Sequence, residues 1–400
     1  MPLRKLGPVS VLAEQLPDGP DDFLADAQRY RRELLAHCYR MTGSLYDAED
    51  LVQETYLRAW KAYDRFEGKS SVRTWLHRIA TNTCLTALEG RGRRPLPTGL
   101  GAPSSSPADE LVERAEVPWL EPLPDSLHEH PADPSVIAAS RESVRLAFVA
   151  ALQHLSPRQR AVLVMRDVLQ WRAAEVADAI GTSTVAVNSL LQRARAQLDA
   201  VGPSEEDRLA DPESPEARGQ LARYIAAFED YDIDRLVQMF TEEAVWEMPP
   251  FTGWYQGPSD IVELIHDKCP ARMAGDMRML PLTANGQPAA AMYMRLPETG
   301  ERHVPFQLHV LQLGPAGISH VVAFLDTALF AIRKSMCANR PLVLLLSTLS
   351  SRLSRELLRL GNCSPSLTVR GATLQAATRT SGKLMARMWL PVGPLPRTLR

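Results

Sequence analysis

The sequence predicts a multidomain protein in which two all-α helical domains precede an α+β domain. Apolar residues recur at three- to four-residue spacing from residue 21 to about residue 90, and helical periodicity returns from 135 to 201. Beyond Arg218 the pattern changes. Helical periodicity is followed by short segments in which apolar and polar residues alternate, and turn residues separate these segments. The length of 400 residues exceeds one ordinary core and suits several modules.

Composition marks the expected boundaries between these modules. Residues rich in Pro, Gly and Ser, or in Pro and acids, separate the periodic segments. The predicted segments are a flexible N-terminus (1–20), a first helical domain (21–95), a linker (96–134), a second helical domain (135–201), a second linker (202–216), an α+β domain (217–330) and a basic tail (331–400) that we expect to be poorly ordered.

Charge is distributed unevenly along the chain. The formal net charge is -2, although the segment from Ala331 carries twelve Lys and Arg residues against one acid, Glu356. The rest of the chain is therefore acidic. If such an acidic chain binds nucleic acid, it must concentrate its basic residues locally or dock on a basic partner.

Cysteine usage and hydropathy exclude several classes of protein. Five cysteines without CxxC spacing favour buried thiols over a disulfide framework or a zinc site. No signal-peptide pattern opens the chain, and no apolar run approaches the length of a membrane span. We expect a cytoplasmic protein with no membrane partner, no metal and no cofactor.

A helix-turn-helix is predicted between Ser156 and Leu198. Gly181 permits the sharp turn, and Thr182 to Thr184 offer hydroxyl N-caps for the second helix. On that helix the residues expected to pack inward are Val187, Leu191, Ala194 and Leu198. The outward candidates for DNA contact are Thr184, Asn188, Ser189, Gln192, Arg193 and Arg195. Asn and Gln read adenine, whereas Arg reads guanine or holds phosphate; the alternative is a solvated polar face.

Acidic residues cluster at the start of an earlier helix, in DAEDLVQETYLRAW (47–60). Asp47, Glu49 and Asp50 are also explained by favourable charge at a helix N-terminus, but Glu54 lies beyond the first turn. Because acids repel DNA, this surface indicates a protein partner.

The next helix interleaves basic and aromatic residues. Arg73, Trp75 and Arg78 suit single-stranded or distorted nucleic acid, since cations follow phosphates while rings meet unstacked bases. Apolar neighbours predict partial burial of Trp75. Asn82 has little structural reason for its position in mid-helix, so it is the leading candidate for reading a base.

These segments together resemble the extracytoplasmic-function (ECF) sigma factors of the bacterial sigma-70 family. DAEDLVQETYLRAW is similar to the region that grips the clamp helices of RNA polymerase, and RTWLHRIATNTCLTAL (73–88) to the helix that opens the minus-ten element. The helix-turn-helix is similar to the domain that reads the minus-thirty-five element. The family has no catalytic residues of its own, so no enzymatic activity is expected.

The resemblance assigns expected roles by position. The residues expected to contact core polymerase are Asp47, Asp50, Gln53 and Glu54. Lys69 and Ser70, in the loop 66–71, would join Asn82 in holding a base flipped from the melted strand. Asn188 and Leu190 stand where members of the family often carry Arg, which leaves the promoter motif open.

The α+β segment resembles the SnoaL-like, NTF2-related cone, on LARYIAAFEDYDIDRLVQMF (221–240) and HVVAFLD (320–326). Sigma factors with this appendage form a recognised subgroup, whose linker PWLEP (118–122) matches. The surrounding segment 117–125 either docks on another part of the protein or carries its tryptophan by chance, and the sequence leaves both open. The candidate pocket residues are Trp246, Glu247 and His309, with Asp232 and His320 as further polar candidates. Catalysis and ligand sensing remain open, and a regulatory protein contact is favoured because lone histidines are usually structural.

The resulting interpretation is a promoter-specificity subunit of bacterial RNA polymerase that is modulated by its own cone. No dedicated anti-sigma factor is evident from the sequence. One alternative is a ligand-responsive repressor that binds DNA without polymerase. Another is a SnoaL-type enzyme fused to a DNA-binding module. The basic tail is either a polymerase- or DNA-binding arm or non-homologous sequence such as an altered reading frame gives; we prefer the second interpretation.

Overall fold

The computed structural model describes residue 23 and residues 27–127, 142–201 and 211–330. The predicted N-terminus, residues 128–141, which end the first linker and begin the second helical domain, the first part of the second linker and the predicted basic tail lie outside the described residues. Within them, two helical units are followed by an α+β unit, as the sequence predicts.

The first helical unit contains α1 (Arg31–Thr42), α2 (Leu45–Ala62) and α3 (Val72–Ala87). Gly43 ends α1 in the left-handed conformation, at φ 69°. The Ser44 hydroxyl then caps α2 by accepting from the Asp47 N–H, and the Ser71 hydroxyl caps α3 by accepting from the Thr74 N–H. The residues of α1 predicted to pack inward are fully buried: Leu34, Leu35, Cys38 and Met41.

The second helical unit contains α4 (Leu146–Leu152), α5 (Pro157–Leu163), α6 (Ala173–Ile180) and α7 (Thr184–Val201), with a π-helical turn (Val164–Val168) after α5. Gly181 makes the predicted turn at φ 65°, and the Ser183 hydroxyl accepts from the Ala186 N–H at 3.2 Å. Val187, Leu191 and Ala194 are buried, which confirms the inward face of α7.

Two buried arginines join the helical units. Arg40 of α1 donates to the carbonyl oxygen of Ser143 at 3.1 Å and to its hydroxyl at 2.7 Å. Arg160 of α5 donates to the carbonyl oxygen of Met41 and to Gln153. Burial lowers the pKa of each guanidinium to about 10, because a charge removed from water is costly even when it is hydrogen-bonded.

The α+β unit contains α8 (Pro215–Glu229), α9 (Ile233–Val237) and α10 (Pro258–Lys268) with one six-stranded sheet. The strands are β1 (Phe240–Glu247), β2 (Trp254–Gln256), β3 (Met277–Ala284), β4 (Gln287–Arg295), β5 (His303–Gly314) and β6 (Gly317–Phe324). Their order is β2-β1-β6-β5-β4-β3, and only the β1–β6 pair is parallel within this sheet.

The two faces of the sheet have different neighbours. The inner face, which α8 and α10 cover, carries Trp246, Leu311 and Val321. The outer face carries residues that share one core with the helical units: Ala289, Ala291, Leu308, Val310, Val322 and Phe324. Because side chains alternate along a strand, a single residue step moves a side chain from one environment to the other.

The segment 95–127, which we call the linker segment, packs against both the helical units and the sheet. Its buried leucines are Leu96, Leu120, Leu123 and Leu127. The Ser105 N–H donates to the Trp254 carbonyl oxygen at 2.7 Å, and the Arg114 N–H donates to that of Pro250 at 3.0 Å. Residues 117–125 are therefore docked, and the leucines anchor them; Trp119 is partly exposed.

Three of the five cysteines lie within the described residues. Cys38, Cys84 and Cys269 are buried free thiols, as predicted. Among the helices of the described segments, none has the length and apolar character to cross a bilayer. The described residues also contain no group of His, Cys, Asp or Glu side chains that could hold a metal ion.

Candidate protein and nucleic-acid interfaces

An exposed stripe runs along α2. It consists of Tyr46, Asp50, Gln53, Leu57 and Trp60, spaced alternately by four and three residues. Three of its members are large hydrophobic residues with exposed fractions of 37%, 38% and 45%. An exposed apolar stripe at this spacing fits a helical partner, since it matches the seam of a coiled coil. The spacing in the sequence would have revealed Tyr46 and Leu57, which our prediction omitted.

Three of the acidic residues of α2 pair with arginines, whereas Asp50 lies on the exposed stripe. Asp47 accepts from Arg94 at 2.8 Å and from Arg91 at 3.0 Å, so it anchors the chain just before the linker segment. Glu49 pairs with Arg31, and Glu54 pairs with Arg58 at 2.7 Å. Asp50 and Gln53 are exposed and lie on the stripe, whereas Asp47 is held by the fold.

The basic helix α3 is packed at its beginning and exposed along one side. Trp75 stacks on Phe66 with ring centroids 4.6 Å apart, which confirms its partial burial. Arg73 donates to Glu33 at 2.7 Å. Burial alone would raise the pKa of Glu33, but hydrogen bonds from His77 and Arg73 outweigh it and lower the pKa to about 2. Lys69 and Ser70 are exposed in the loop before α3.

The helix-turn-helix covers part of α3. Arg78 donates to the Asp178 carboxylate at 2.7 Å, and the Asn82 amide donates to the Ala179 carbonyl oxygen at 3.0 Å. Asn82 also donates to the Arg78 carbonyl oxygen of its own helix. Our reasoning that Asn82 lacks a structural reason is therefore wrong: its amide joins α3 to α6.

The outward face of α7 is open to solvent. Thr184, Asn188, Ser189, Gln192 and Arg193 are exposed, as predicted. Arg195 is exposed too, but it makes two hydrogen bonds to Asp167, at 2.6 and 3.0 Å, which raise its pKa. Its guanidinium is thus held against the π-helical turn that follows α5.

The three candidate pocket residues do not line one pocket. Trp246 and His309 lie on the inner face, with ring centroids 5.3 Å apart, whereas Glu247 points from the next position of β1 to the outer face. Burial lowers the pKa of His309 to about 3, so the ring is neutral. The Tyr224 hydroxyl donates to Nδ1 at 2.8 Å, and Nε2 donates to Gln307 at 2.9 Å. The ring is fully occupied by structural hydrogen bonds.

On the outer face, Glu247 is a contact point for the linker segment. Its side chain is fully buried, accepting from the Thr98 N–H at 2.8 Å and contacting His320 Nε2 at 2.7 Å. Asp232 caps α9 by accepting from the Arg235 N–H. The polar candidates therefore serve the fold and the interface between units.

Comparison with known proteins identifies the three units. The family models that match are Sigma-70 region 2 over residues 27–94, Sigma-70 region 4 over 145–198, and the SnoaL-like domain over 221–312. The ECF RNA polymerase sigma factor SigG of Mycobacterium tuberculosis is 72% identical over 333 residues, covering 82% of this chain and 89% of the relative. The chain is an ECF sigma factor of the sigma-70 family. The sigma factor is a promoter-directing, non-enzymatic subunit, as the sequence predicts.

A second relative supports the arrangement of domains. The ECF sigma factor SigJ of M. tuberculosis is 29% identical over 250 residues, covering 60% of this chain and 72% of the relative. A crystal structure of SigJ matches with a TM-score of 0.50 at 21% identity, over 77% of this sigma factor and 98% of that chain. The likeness confirms the fold: helical sigma regions followed by a SnoaL-like domain.

Within this sigma factor, the linker segment reaches the base of α2. One Glu121 carboxylate oxygen accepts from the Ser44 hydroxyl at 2.9 Å and from the Leu45 N–H at 2.8 Å. The Tyr46 N–H approaches the same oxygen at 3.3 Å. A carboxylate is favourable at a helix N-terminus because it meets unpaired N–H groups there. The PWLEP motif is thereby tied to the helix that carries the exposed stripe.

Proposed function

We propose that the described conformation is a closed resting state of the sigma factor, which must open before it can melt a promoter. The observation that carries this proposal is the contact of Asn82 and Arg78 with α6. A base flipped from the melted strand would need the side of α3 that the helix-turn-helix occupies. Opening would separate the two helical units and release Arg78 and Asn82 from α6, so that they can act together with Arg73 and with the exposed Lys69 and Ser70.

The α2 stripe is our proposed binding site for the clamp helices of core RNA polymerase. Asp50 and Gln53 provide polar contacts beside the apolar residues Leu57 and Trp60, and all four are accessible in the closed state. Polymerase can therefore make its first contact before opening. We assign Asp47 and Glu54 to the rim of this site, and the second helical unit to the polymerase flap.

The accessible face of α7 is our proposed site for the minus-thirty-five element. Asn188 and Gln192 are suited to base edges and Arg193 to phosphate, and Thr184, Ser189 and Arg195 flank them. Because this face is exposed while α3 is covered, the closed protein could touch upstream duplex without opening the downstream element.

The SnoaL-like domain is proposed to regulate by contact. Its outer face shares a core with the helical units and holds the linker segment through Glu247, whereas the inner face is filled by Tyr224, Phe228, Trp246 and His309. This arrangement favours an internal regulator, in place of a dedicated anti-sigma factor, over an enzyme.

Run-off transcription with purified core polymerase tests the proposal. The full chain should initiate from a cognate promoter. A chain ending at Val201 should bind core polymerase more tightly, because its helical units are then held together only by their direct contacts and no longer by the SnoaL-like domain. Unchanged core binding after truncation would contradict closure by the SnoaL-like domain. A repressor would instead bind the promoter alone and would not support initiation.

A further inference from the structure

The hairpin between β3 and β4 ends in the middle of the junction between the other units. Its tip, Asn285 and Gly286, has positive φ angles of 57° and 66°, which is a favoured turn for an Asn-Gly pair. Such tips normally lie in solvent, but Asn285 is fully buried. Turn chemistry explains why Asn is tolerated there and does not explain why its amide is buried.

Every polar group of the Asn285 side chain has a partner outside the SnoaL-like domain. Its Oδ1 accepts from the Leu123 N–H of the linker segment at 2.8 Å. Its Nδ2 donates to the Tyr39 hydroxyl of α1 at 2.8 Å and to the Val144 carbonyl oxygen, next to α4, at 2.7 Å. One amide thus connects the first helical unit, the linker segment and the second helical unit.

The neighbouring residues strengthen the same junction. The Asn285 N–H donates to the Leu123 carbonyl oxygen at 2.8 Å, and the Gly286 N–H donates to Asp125 at 2.9 Å. The Leu146 N–H, at the start of α4, donates to the Gln287 side chain at 3.0 Å. The Tyr39 hydroxyl in turn donates to the Glu121 carbonyl oxygen at 2.7 Å.

We propose that the side chain of Asn285 is the contact that keeps the sigma factor closed, holding both helical units and the linker segment on the SnoaL-like domain. This inference rests on the proposed closed resting state. A buried, fully bonded amide specifies one arrangement strongly, because any displacement leaves donors and acceptors unpaired away from water. Once the units separate, water satisfies the same groups, so the contact can be released without breaking the domains.

The substitution Asn285→Gly tests the side-chain contacts of Asn285 without changing the backbone conformation of the turn. Glycine keeps the positive φ that the hairpin requires and removes only the side chain. We expect the full-length variant to have a larger radius of gyration by small-angle X-ray scattering. Its apparent affinity for core polymerase should rise by about 5- to 30-fold, since a larger fraction of molecules is open. Circular dichroism checks that the variant is folded.

A matched control is Gln220→Ala, which removes one hydrogen bond inside the SnoaL-like domain, from Gln220 to the Gly314 carbonyl oxygen. This variant should change neither the radius of gyration nor the apparent affinity for core polymerase. If Asn285→Gly also leaves the radius of gyration and the affinity unchanged, the inference is overturned.

A second variant decides the case if Asn285→Gly does not fold. Tyr39→Phe keeps the buried ring of α1 and removes the hydroxyl that links Asn285 to Glu121. It should shift both quantities in the same direction by a smaller factor, and no shift would overturn the inference. Expansion of the variants without any polymerase binding would overturn the proposed function and support the role of Asn285, whereas normal polymerase binding at unchanged size would overturn that role alone.

Discussion

The side-chain amide of Asn82 lies 3.0 Å from the carbonyl oxygen of Ala179 and joins the helix predicted to read melted DNA to the helix-turn-helix. The same amide is the group that our proposed function assigns to a flipped base. Asn82 can therefore satisfy either its intramolecular partner or a promoter base, but not both. In the proposed function, this competition couples promoter opening to separation of the helical units.

Reversing the charge of Asp178 should open the protein. Arg78 and Asp178 are exposed enough that their attraction is worth about 1 kcal/mol or less, and Asp178→Arg replaces it with repulsion. A total change of about 1–2 kcal/mol should raise the apparent affinity for core polymerase by about 5- to 30-fold. Binding is measured without DNA, because the new charge would also attract phosphates.

The control for this experiment is Asp199→Arg, which makes the same charge change at an exposed acid of α7. Equal effects of the two variants would point to net charge and contradict a specific role for the Arg78–Asp178 pair. The effect of Asp178→Arg should also shrink at high salt, because exposed charges are screened.

Removing the Trp60 side chain should weaken polymerase binding without unfolding the chain. Trp60 is 45% exposed, so little core packing is lost. A buried tryptophan in an interface commonly contributes about 2 kcal/mol, which corresponds to a loss of about 30-fold in affinity for Trp60→Ala. Lys61→Ala, at the next exposed position, is the matched control in the same binding assay. Wild-type affinity of Trp60→Ala would exclude the stripe as the docking site.

Local sequence patterns predicted the helices and turns, but they could not predict the contacts between units. Periodicity identified the inward face of α7, and Gly181 identified the turn, because both depend on neighbouring residues. Ala179, the partner of Asn82 in α6, lies 97 positions away from it, and Tyr39, one partner of Asn285, lies 246 positions away, so neither contact follows from local spacing. The error over Trp246 and Glu247 was avoidable, because consecutive residues of a strand point to opposite faces.

The exposed face of α7 should separate base reading from phosphate binding. Asn188→Ala should reduce discrimination at one promoter position by about 1–3 kcal/mol and leave the salt dependence unchanged. Arg193→Ala should weaken binding to every sequence and lower the slope of log K against log salt by about one. The measurement is holoenzyme binding to a set of promoter variants at several salt concentrations. Identical profiles for the two variants would reject the assignment.

Acidification should destabilise the SnoaL-like domain through His309. Burial lowers its pKa to about 3, so between pH 3 and 6.5 the unfolded chain binds a proton that the folded domain does not. The free energy of unfolding therefore falls as the pH drops below about 6.5, by roughly 1.4 kcal/mol at pH 5.5 from this group. His309→Gln, which cannot take up that proton, should be less stable at pH 7.5 and should lose less stability on acidification. Urea unfolding at pH 7.5, 6.5 and 5.5 measures both effects, with the exposed His266→Gln as control. If the wild type and His309→Gln lose stability equally over this range, His309 is not the group that responds to pH.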